Sequence, residues 1–199
     1  MNDTTRISWE NLLNPAILRP NLILASIYIT SFELLKNTIV DRIKDYFTSG
    51  FGRNGLRISP EYQSEVLSKN RSPVYASLAW LKDMNAIDDA DLAAFERVKK
   101  LRNKLAHALT SVLFDGLPTD FTERLSEMIT LLDKIERWWI INVEIATDPT
   151  LHGKEIEEAK VIPGPIMGLR LLLDIALGTE EESKKYIDEF LRRKRRKKR

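Results

Sequence analysis

Along most of the chain, hydrophobic residues recur every three or four positions, which is the spacing of one face of an α-helix. The first long stretch of this kind predicts a helix over 22–47, with Asn21 as its N-cap and residues 1–20 irregular before it. No stretch shows the sustained alternation that a half-buried strand requires. The apolar positions of the predicted helix are Leu24, Ile27, Tyr28, Phe32, Leu35, Ile39, Ile43 and Phe47.

The stretch 91–113 predicts a second helix whose two sides differ chemically. Its predicted core positions are Val98, Leu101, Leu105, Leu109 and Val112. At about 100° per residue, Arg102 lies about 60° round from Leu105, at the edge of the core face. Asn103 lies further round, and His107 reaches about 200°. An arginine, an asparagine and a histidine therefore share the side of this helix that does not face the core.

Capping residues mark the ends of several predicted helices. Asp88 is the expected N-cap of the helix over 91–113. Asp120 and Glu123 have the spacing of a capping box, and so do Thr179 and Glu182. The further helices are predicted at 59–69, 73–85, 121–145, 166–177 and from 179 into the basic C-terminal region.

These elements predict an all-α fold: a bundle of four to five helices over 1–145 and a C-terminal helical extension, 146–191, packed on it. The connection between the helices at 91–113 and 121–145 is short, so we expect them to pack antiparallel. The last segment, 192–199, contains eight consecutive basic residues, and such a block is normally disordered unless it meets a polyanion.

The glycine-rich segment 50–57 also contains two arginines, Arg53 and Arg57. A glycine-rich loop that cradles a dinucleotide follows a strand, and none is predicted here. We therefore interpret the segment as a mobile connector and keep both arginines as weak candidates for substrate binding.

Composition narrows the kinds of chemistry available. The chain has no cysteine, which excludes disulfides and cysteine-based zinc or redox sites and favours a cytoplasmic protein. With two histidines and no ligand cluster of suitable spacing, neither a metal nor another cofactor is expected. No secretory signal is visible, and no uncharged run approaches the length that spans a bilayer, so no membrane partner is expected.

The net charge of +2 conceals an asymmetry between the body of the protein and its last residues. Without 192–199, 23 basic residues remain against 29 acidic ones, a net charge of −6. If the basic segment contacts RNA, it does so through phosphates, independently of sequence. The alternative is a solubility or targeting segment with no part in binding.

The sequence Arg102-Asn103-Lys104-Leu105-Ala106-His107 resembles the R-x4-H signature of the HEPN superfamily, including the polar residue that often follows the arginine. The resemblance is local to this helix and, loosely, to the helical pattern of 20–145. HEPN domains are small helical bundles. Many are metal-independent endoribonucleases that pair two copies of the motif at a dimer interface, so the resemblance implies a homodimer acting on RNA. It also implies a toxin or phage-defence protein, with a cognate antitoxin as a possible partner.

The motif residues suggest distinct roles. His107 is the candidate general acid or base, because the intrinsic pKa of histidine lies near neutrality. Arg102 is suited to holding a phosphate bidentately, and Asn103 to orienting the histidine. Lys99 and Lys104 are weaker candidates for substrate binding. The structural alternatives are a surface histidine, an arginine in a salt bridge and solvated polar side chains.

Three further interpretations of the sequence stay open. A carboxylate on the first long helix, Glu33 or Asp41, is a weaker candidate for an acidic partner in the site. The protein as a whole is alternatively a non-catalytic HEPN-like module that binds a nucleotide, a nucleic acid or a partner protein. A third class is a nucleic-acid-binding protein driven by the basic segment 192–199.

Overall fold

The structure, a computed structural model, describes residues 2–52, 55–151 and 156–196, with side chains up to residue 194. α-Helices dominate this part of the chain, which confirms the all-α class. They are α1 (Asp3–Leu13), α2 (Pro15–Tyr46), α3 (Pro73–Asp83), α4 (Asp89–His107), α5 (Leu109–Asp115), α6 (Phe121–Trp139), α7 (Gly164–Leu177) and α8 (Glu180–Arg196). π-Helical turns at Tyr62–Val66 and Ile140–Ile145 and 3-10 turns at Leu67–Lys69 and Glu158–Lys160 complete the helical segments.

The prediction that residues 1–20 are irregular is wrong. The Asn14 side chain accepts a hydrogen bond from the Ala16 amide at 3.0 Å and caps α2, with Pro15 as its first residue. Proline at that position costs no hydrogen bond, because the first amides of a helix lack an intrahelical partner. Pro20 lies inside α2 near its start, so Asn21 is not a cap.

The segment expected to be a mobile connector forms an antiparallel hairpin of β1 (Thr48–Gly52) and β2 (Gly55–Ile58). Phe51 pairs with Leu56, and both side chains are exposed. Most residues of the hairpin are exposed, and its sequence shows none of the sustained alternation that identifies a half-buried strand. Arg53 lies outside the described residues.

Ion pairs fix the relative directions of the central helices. Arg97 donates to Glu127 at 2.6 Å, while Lys134, further along α6, pairs with Asp88 and Asp91 at the start of α4. The two helices therefore run antiparallel, as their short connection predicted. α2 packs against both helices, and the Tyr28 hydroxyl donates to the Val98 carbonyl at 3.1 Å in the core.

The predicted N-caps at Asp88 and Thr179 are confirmed. Asp88 and Asp91 form a reciprocal capping box at the start of α4. The Glu182 carboxylate likewise accepts from the Thr179 amide at 2.9 Å, and the Thr179 hydroxyl accepts from the Glu182 amide at 3.3 Å. The prediction for Asp120 is wrong. Its side chain caps no amide of α6 and instead lies 3.6 Å from Arg124.

The helix predicted over 91–113 is interrupted at Ala108, where the backbone leaves helical geometry with φ −125° and ψ 41°. α4 therefore ends at His107, and α5 packs against α1 and α2 in a new direction. Leu105 and Val112 are buried as predicted, but Leu109 is 43% exposed, so its assignment to the core is wrong. Because the helix is interrupted at Ala108, the core-facing positions of α4 do not continue to Leu109.

A carboxylate buried between α2 and α6 is satisfied by two donors. Glu136 is 1% exposed, and it accepts from the Thr38 hydroxyl at 2.9 Å and from Arg42 at 2.5 Å. Arg42 also donates to Glu144 at 2.6 Å. Although desolvation lowers the pKa of Arg42, its hydrogen bonds to Glu136 and Glu144 raise that pKa above the ordinary value. The network therefore joins α2 to the end of α6 without leaving a buried charge unpaired.

Aromatic side chains fill one end of the bundle. Trp80 stacks on Trp139 with ring centroids 6.0 Å apart, and Trp138 meets Trp139 edge-on at 5.0 Å. The ring centroid of Tyr46, at the end of α2, lies 5.8 Å from that of Trp139. The fourth tryptophan, Trp9, lies apart from this cluster on α1.

The C-terminal extension rests on the bundle through α7, which packs against α2 and α6, while α8 packs against α7. The expectation of a disordered segment from residue 192 differs from the structure, since α8 continues to Arg196. Arg192 and Arg193 pair with Glu189 at 3.3 and 3.0 Å, one helical turn away. These pairs favour continuing the helix into the basic segment, because residues three and four apart are neighbours on a helix.

Among the described residues, α2 is the one helix that length and composition would allow to cross a membrane. The core helix of a soluble protein passes the same test. The buried residues of α2 include Tyr28, Leu35, Ile39 and Ile43, each with no exposed surface.

Candidate functional site

Arg102 is held by groups on two helices. Its Nη2 atom donates to Glu33 Oε1 on α2 at 2.5 Å, and its Nη1 atom donates to Asn103 Oδ1 at 3.3 Å. The guanidinium carbon lies 5.6 Å from the centroid of the Phe32 ring. The Nε atom is buried without an acceptor among the described residues. The guanidinium is thus fixed in orientation while one of its donors remains unused.

This guanidinium borders a cavity of about 210 Å³ between α2, the start of α3 and α4, which we call the α2–α4 cavity. Three cations, Lys36, Lys99 and Arg102, and one carboxylate, Glu33, border it, giving a net charge of +2. Ligand pockets commonly measure about 300–1,000 Å³, so the cavity suits a phosphate group or a single ring rather than a whole nucleotide. The other lining residues are Phe32, Ser72, Val74, Tyr75, Phe95 and Asn103.

Lys99 belongs to a hydrogen-bonded chain at the rim of the cavity. Its ammonium donates to the Tyr75 hydroxyl at 2.5 Å, and that hydroxyl donates to Glu96 at 2.5 Å. The ammonium also lies 4.6 Å from the centroid of the Tyr75 ring. The hydrogen bond to Tyr75 raises the pKa of Lys99 above its ordinary value, although desolvation opposes it. Lys99 is therefore a fixed positive charge at neutral pH.

Glu33 is the ionised partner of two cations. The Lys36 ammonium donates to it at 3.0 Å, and this hydrogen bond is the main reason that the pKa of Glu33 lies below its ordinary value. Burial acts in the opposite direction, and the hydrogen bond from Arg102 adds to the lowering. The structure thus selects Glu33, rather than Asp41, as the acidic partner of Arg102.

His107 is the last residue of α4, and its side chain is exposed. No side-chain hydrogen bond or ion pair reaches it from any described residue. It follows Arg102 by five residues, which is about 7.5 Å along a helix and about 140° around it. The lining of the α2–α4 cavity includes Arg102 and Asn103 but not His107. The histidine of the same chain therefore does not join Arg102 at this cavity.

The weaker candidates for substrate binding are scattered. Lys99 lines the α2–α4 cavity, but Lys104 lines a separate depression of about 420 Å³ formed with α5 and the loop that follows it. Arg57 lies exposed on β2 and does not line the cavity. Arg53 falls outside the described residues. Of the three that the structure describes, only Lys99 joins Arg102 and Asn103 at the α2–α4 cavity.

Sequence reasoning missed Lys36 and Tyr75 as members of the site. The signal for Lys36 was its position outside the apolar face of the predicted helix, three residues after Glu33. Tyr75 gave no comparable signal, because its role depends on how α3 packs beside α4.

No group of three or more histidine or acidic side chains suited to a metal occurs in the described part of the chain. Three of the four charged side chains that border the cavity are instead cations, which favour anions.

Replacing Glu33 with glutamine should make the stability of the protein less sensitive to acid. The pKa of Glu33 is lowered in the folded state. Its stabilising pairs are therefore complete above the unfolded value of about 4.3 and are lost as the pH falls through the folded value. We expect a difference in free energy of unfolding of about 0.5–1 kcal/mol at pH 7, because the pair is partly exposed. Thermal melts of both proteins should show this difference shrinking below about pH 4.

The matched control is Glu10→Gln, which removes an exposed carboxylate paired with Arg6 at 3.4 Å on α1. Its melting temperature should stay close to that of the wild type throughout. A Glu33→Gln difference that stays constant from neutral to acidic pH would contradict the assigned ionisation.

Comparisons with known proteins do not extend this description. No protein-family model matches the chain. No significant match was found among curated proteins or solved structures.

Proposed function

We propose that the protein is a metal-independent endoribonuclease of the HEPN type. The proposal rests on the fixed orientation of Arg102 and on the exposure of His107. Arg102 is held by Glu33 and Asn103 at the border of a cationic cavity, while His107 is exposed and has no side-chain partner among the residues that the structure describes. An oriented guanidinium and an available imidazole are the groups that phosphodiester cleavage without a metal requires.

In the proposed reaction, the ribose 2′-oxygen attacks the adjacent phosphorus, and the bond from phosphorus to the 5′-oxygen breaks. His107 of one copy accepts the proton of the 2′-hydroxyl, and the same histidine of a second copy gives a proton to the leaving 5′-oxygen. Arg102 stabilises the charge that develops on the phosphate oxygens. The products carry a 2′,3′-cyclic phosphate and a 5′-hydroxyl, and DNA is not cut because it lacks the attacking hydroxyl.

A homodimer is part of this proposal, because the described site of one chain contains one histidine and the reaction uses two. Ala106 precedes His107 and is exposed, so its small side chain lets a second α4 approach closely. A two-fold axis near the motif helices would place the two histidines at one cleft. The resemblance further suggests a toxin or phage-defence protein held inactive by an antitoxin in the cytoplasm.

Replacing Ala106 with glutamate should convert the dimer to monomers, since it places two like charges and extra volume near the proposed axis. Sedimentation velocity at micromolar concentration measures this directly. The control is Ala93→Glu, which adds the same charge at an exposed position on another side of α4. A wild-type protein that sediments as a monomer at this concentration would count against the two-chain site.

A second candidate function is anion binding without catalysis. It is favoured by the fact that Arg102 and Lys99 face the α2–α4 cavity whereas His107 does not line it. In that case the cavity would hold a phosphate group, and the binding would depend on Lys99 and Arg102 but not on His107. Isothermal titration calorimetry with inorganic phosphate and with a mononucleotide measures this binding.

One assay separates the two functions. Purified protein is incubated with RNA in the presence and absence of EDTA, beside an equal amount of DNA of the same sequence. The proposed enzyme cleaves RNA equally well with and without EDTA and leaves 2′,3′-cyclic phosphate ends. Phosphate binding without cleavage would favour the non-catalytic function.

A further inference from the structure

The C-terminal helices expose an apolar surface that the bundle does not cover. α7 buries Ile166 and Leu169 against the bundle, yet a second row of its apolar residues, spaced four apart, points elsewhere. Phe190 on α8 is 61% exposed and Ile187 is 51% exposed. We call this surface the C-terminal apolar face, and it consists of Met167, Leu171, Ile175, Ile187, Phe190 and Leu191.

Over residues 185–193, α8 has its apolar residues on one side and its charged residues on the other. At about 100° per residue, Ile187, Phe190 and Leu191 fall within an arc of about 100°. Lys185 and Arg192 fall on the opposite side of the helix. Of the helices described, α8 is the most strongly amphipathic, and it is polar on average. A helix with these two properties is suited to lying in an interface between water and an apolar phase.

The charge of this region is concentrated next to its apolar residues. Leu191 is followed directly by the eight basic residues of 192–199, and residues 184–199 together have a net charge of +8. The body of the protein before 192 has a net charge of −6. Along the sequence, the strong positive charge therefore directly follows the exposed side chains of Ile187, Phe190 and Leu191.

We propose that α8 binds the surface of a lipid bilayer that contains anionic headgroups. Ile187, Phe190 and Leu191 enter the boundary between headgroups and acyl chains, and the basic residues contact the headgroup phosphates and carboxylates. Clusters of four to eight basic residues on an amphipathic helix are recognised features of binding to anionic lipids. The burial of apolar side chains and the attraction to anionic lipids both contribute to the binding strength of such a helix.

Two other occupants fit the surface less well. RNA would meet the basic residues through its phosphates, which gives no role to the exposed apolar side chains of α7 and α8. A second copy of this chain would bring eight further basic residues to the interface. The three carboxylates at the start of each α8, Glu180, Glu181 and Glu182, are too few to offset them.

This mode of binding differs from crossing a bilayer. No membrane partner was expected from the sequence, because it has no long uncharged run, but that argument concerns spanning segments only. A surface-bound helix needs one apolar side and a basic charge, which α8 has.

The test is co-sedimentation of the full-length protein with vesicles. One set of vesicles contains phosphatidylcholine alone, and the other contains phosphatidylcholine with phosphatidylserine. We expect the protein to sediment with the anionic vesicles, to remain soluble with the neutral ones and to be released by salt. His107→Ala protein should bind the vesicles as the wild type does, since this inference is independent of RNA cleavage.

Two variants test the two parts of the surface. Replacing both Arg192 and Arg193 with glutamine should weaken binding about thirtyfold, since each basic residue near an anionic surface contributes about fivefold. Phe190→Ser should weaken vesicle binding about tenfold or more, because the variant lacks an apolar side chain that binding would remove from water. The matched control is Phe51→Ser, which removes a phenylalanine that is 87% exposed on the β-hairpin. Ile187→Ser repeats the apolar test at an independent position.

Several outcomes would overturn the proposal. These are equal binding to neutral and anionic vesicles, no binding to either, or binding that Phe190→Ser and Ile187→Ser leave unchanged while melting temperatures match the wild type. Loss of self-association in Phe190→Ser, measured by sedimentation without lipid, would assign the face to a second copy. Binding to RNA that is as strong as binding to vesicles, and equally sensitive to Phe190→Ser, would assign it to nucleic acid.

Discussion

His107→Ala protein should lose RNA cleavage almost completely, with a fall in rate of about 10²–10⁴-fold, which is the usual contribution of a general acid or base. Because the side chain is exposed and has no partner among the described residues, its removal should change the melting temperature very little. Arg102→Ala should lower the rate by about 10²–10³-fold, the scale of losing one group that stabilises developing charge. Cleavage of a fluorescent RNA and thermal melts of the same preparations measure both quantities.

The control for Arg102→Ala is Arg97→Ala. Arg97 lies on the same helix and also pairs with a carboxylate on another helix, Glu127 at 2.6 Å, but it does not border the α2–α4 cavity. It should therefore retain cleavage while losing a comparable ion pair. Full cleavage by highly purified His107→Ala protein would show that the site has been assigned to the wrong residue.

Leu105→Ala should lower the free energy of unfolding by about 2–5 kcal/mol, the range measured when a buried leucine is cut back and leaves a cavity. Leu105 is 1% exposed and belongs to the hydrophobic core, on the face of α4 that packs into the bundle. Denaturant unfolding, followed by circular dichroism, measures the loss through the shift of the transition midpoint.

The companion variant is Leu109→Ala, one turn further along the sequence. Because α4 ends before it and Leu109 is 43% exposed, this change should cost less than about 1 kcal/mol. A continuous helix from 91 to 113 would have made the two losses similar. Equal destabilisation by both variants would therefore contradict the break at Ala108.

The helical features of the fold were predictable where they depend only on residues within one helix. The capping box of Asp88 and the spacing of Val98, Leu101 and Leu105 are local, and the structure has them as expected. The break at Ala108 was not predictable, since alanine favours helices and no proline or glycine stands there. Its cause is tertiary, because α5 turns to pack against α1 and α2.

The site was predictable only in part for the same reason. The position of Arg102 on the edge of the core face follows from helical spacing, and this edge is where α2 meets α4. The sequence offered Glu33 and Asp41 as acidic partners without choosing between them, because the choice depends on the register between two helices. Tyr75 joins the site from a third helix, which no pattern along the chain indicates.

The N-terminal error has a different physical origin. Pro15 and Pro20 look like interruptions of a helix when they are considered without their neighbours. In the structure Pro15 begins α2, and Pro20 is the sixth residue of this helix, where it removes one hydrogen bond near the start without ending the helix.

The aromatic cluster at the end of α2, α3 and α6 gives the protein an internal optical probe of one region. Three of the four tryptophans, Trp80, Trp138 and Trp139, lie within it. We therefore expect tryptophan fluorescence to report mainly on the region where α3 packs against α6. Far-ultraviolet circular dichroism reports on every helix, including α7 and α8. If fluorescence and dichroism change at the same denaturant concentration, the bundle and the C-terminal helices unfold as one unit. A later fluorescence transition would show that the C-terminal helices separate first.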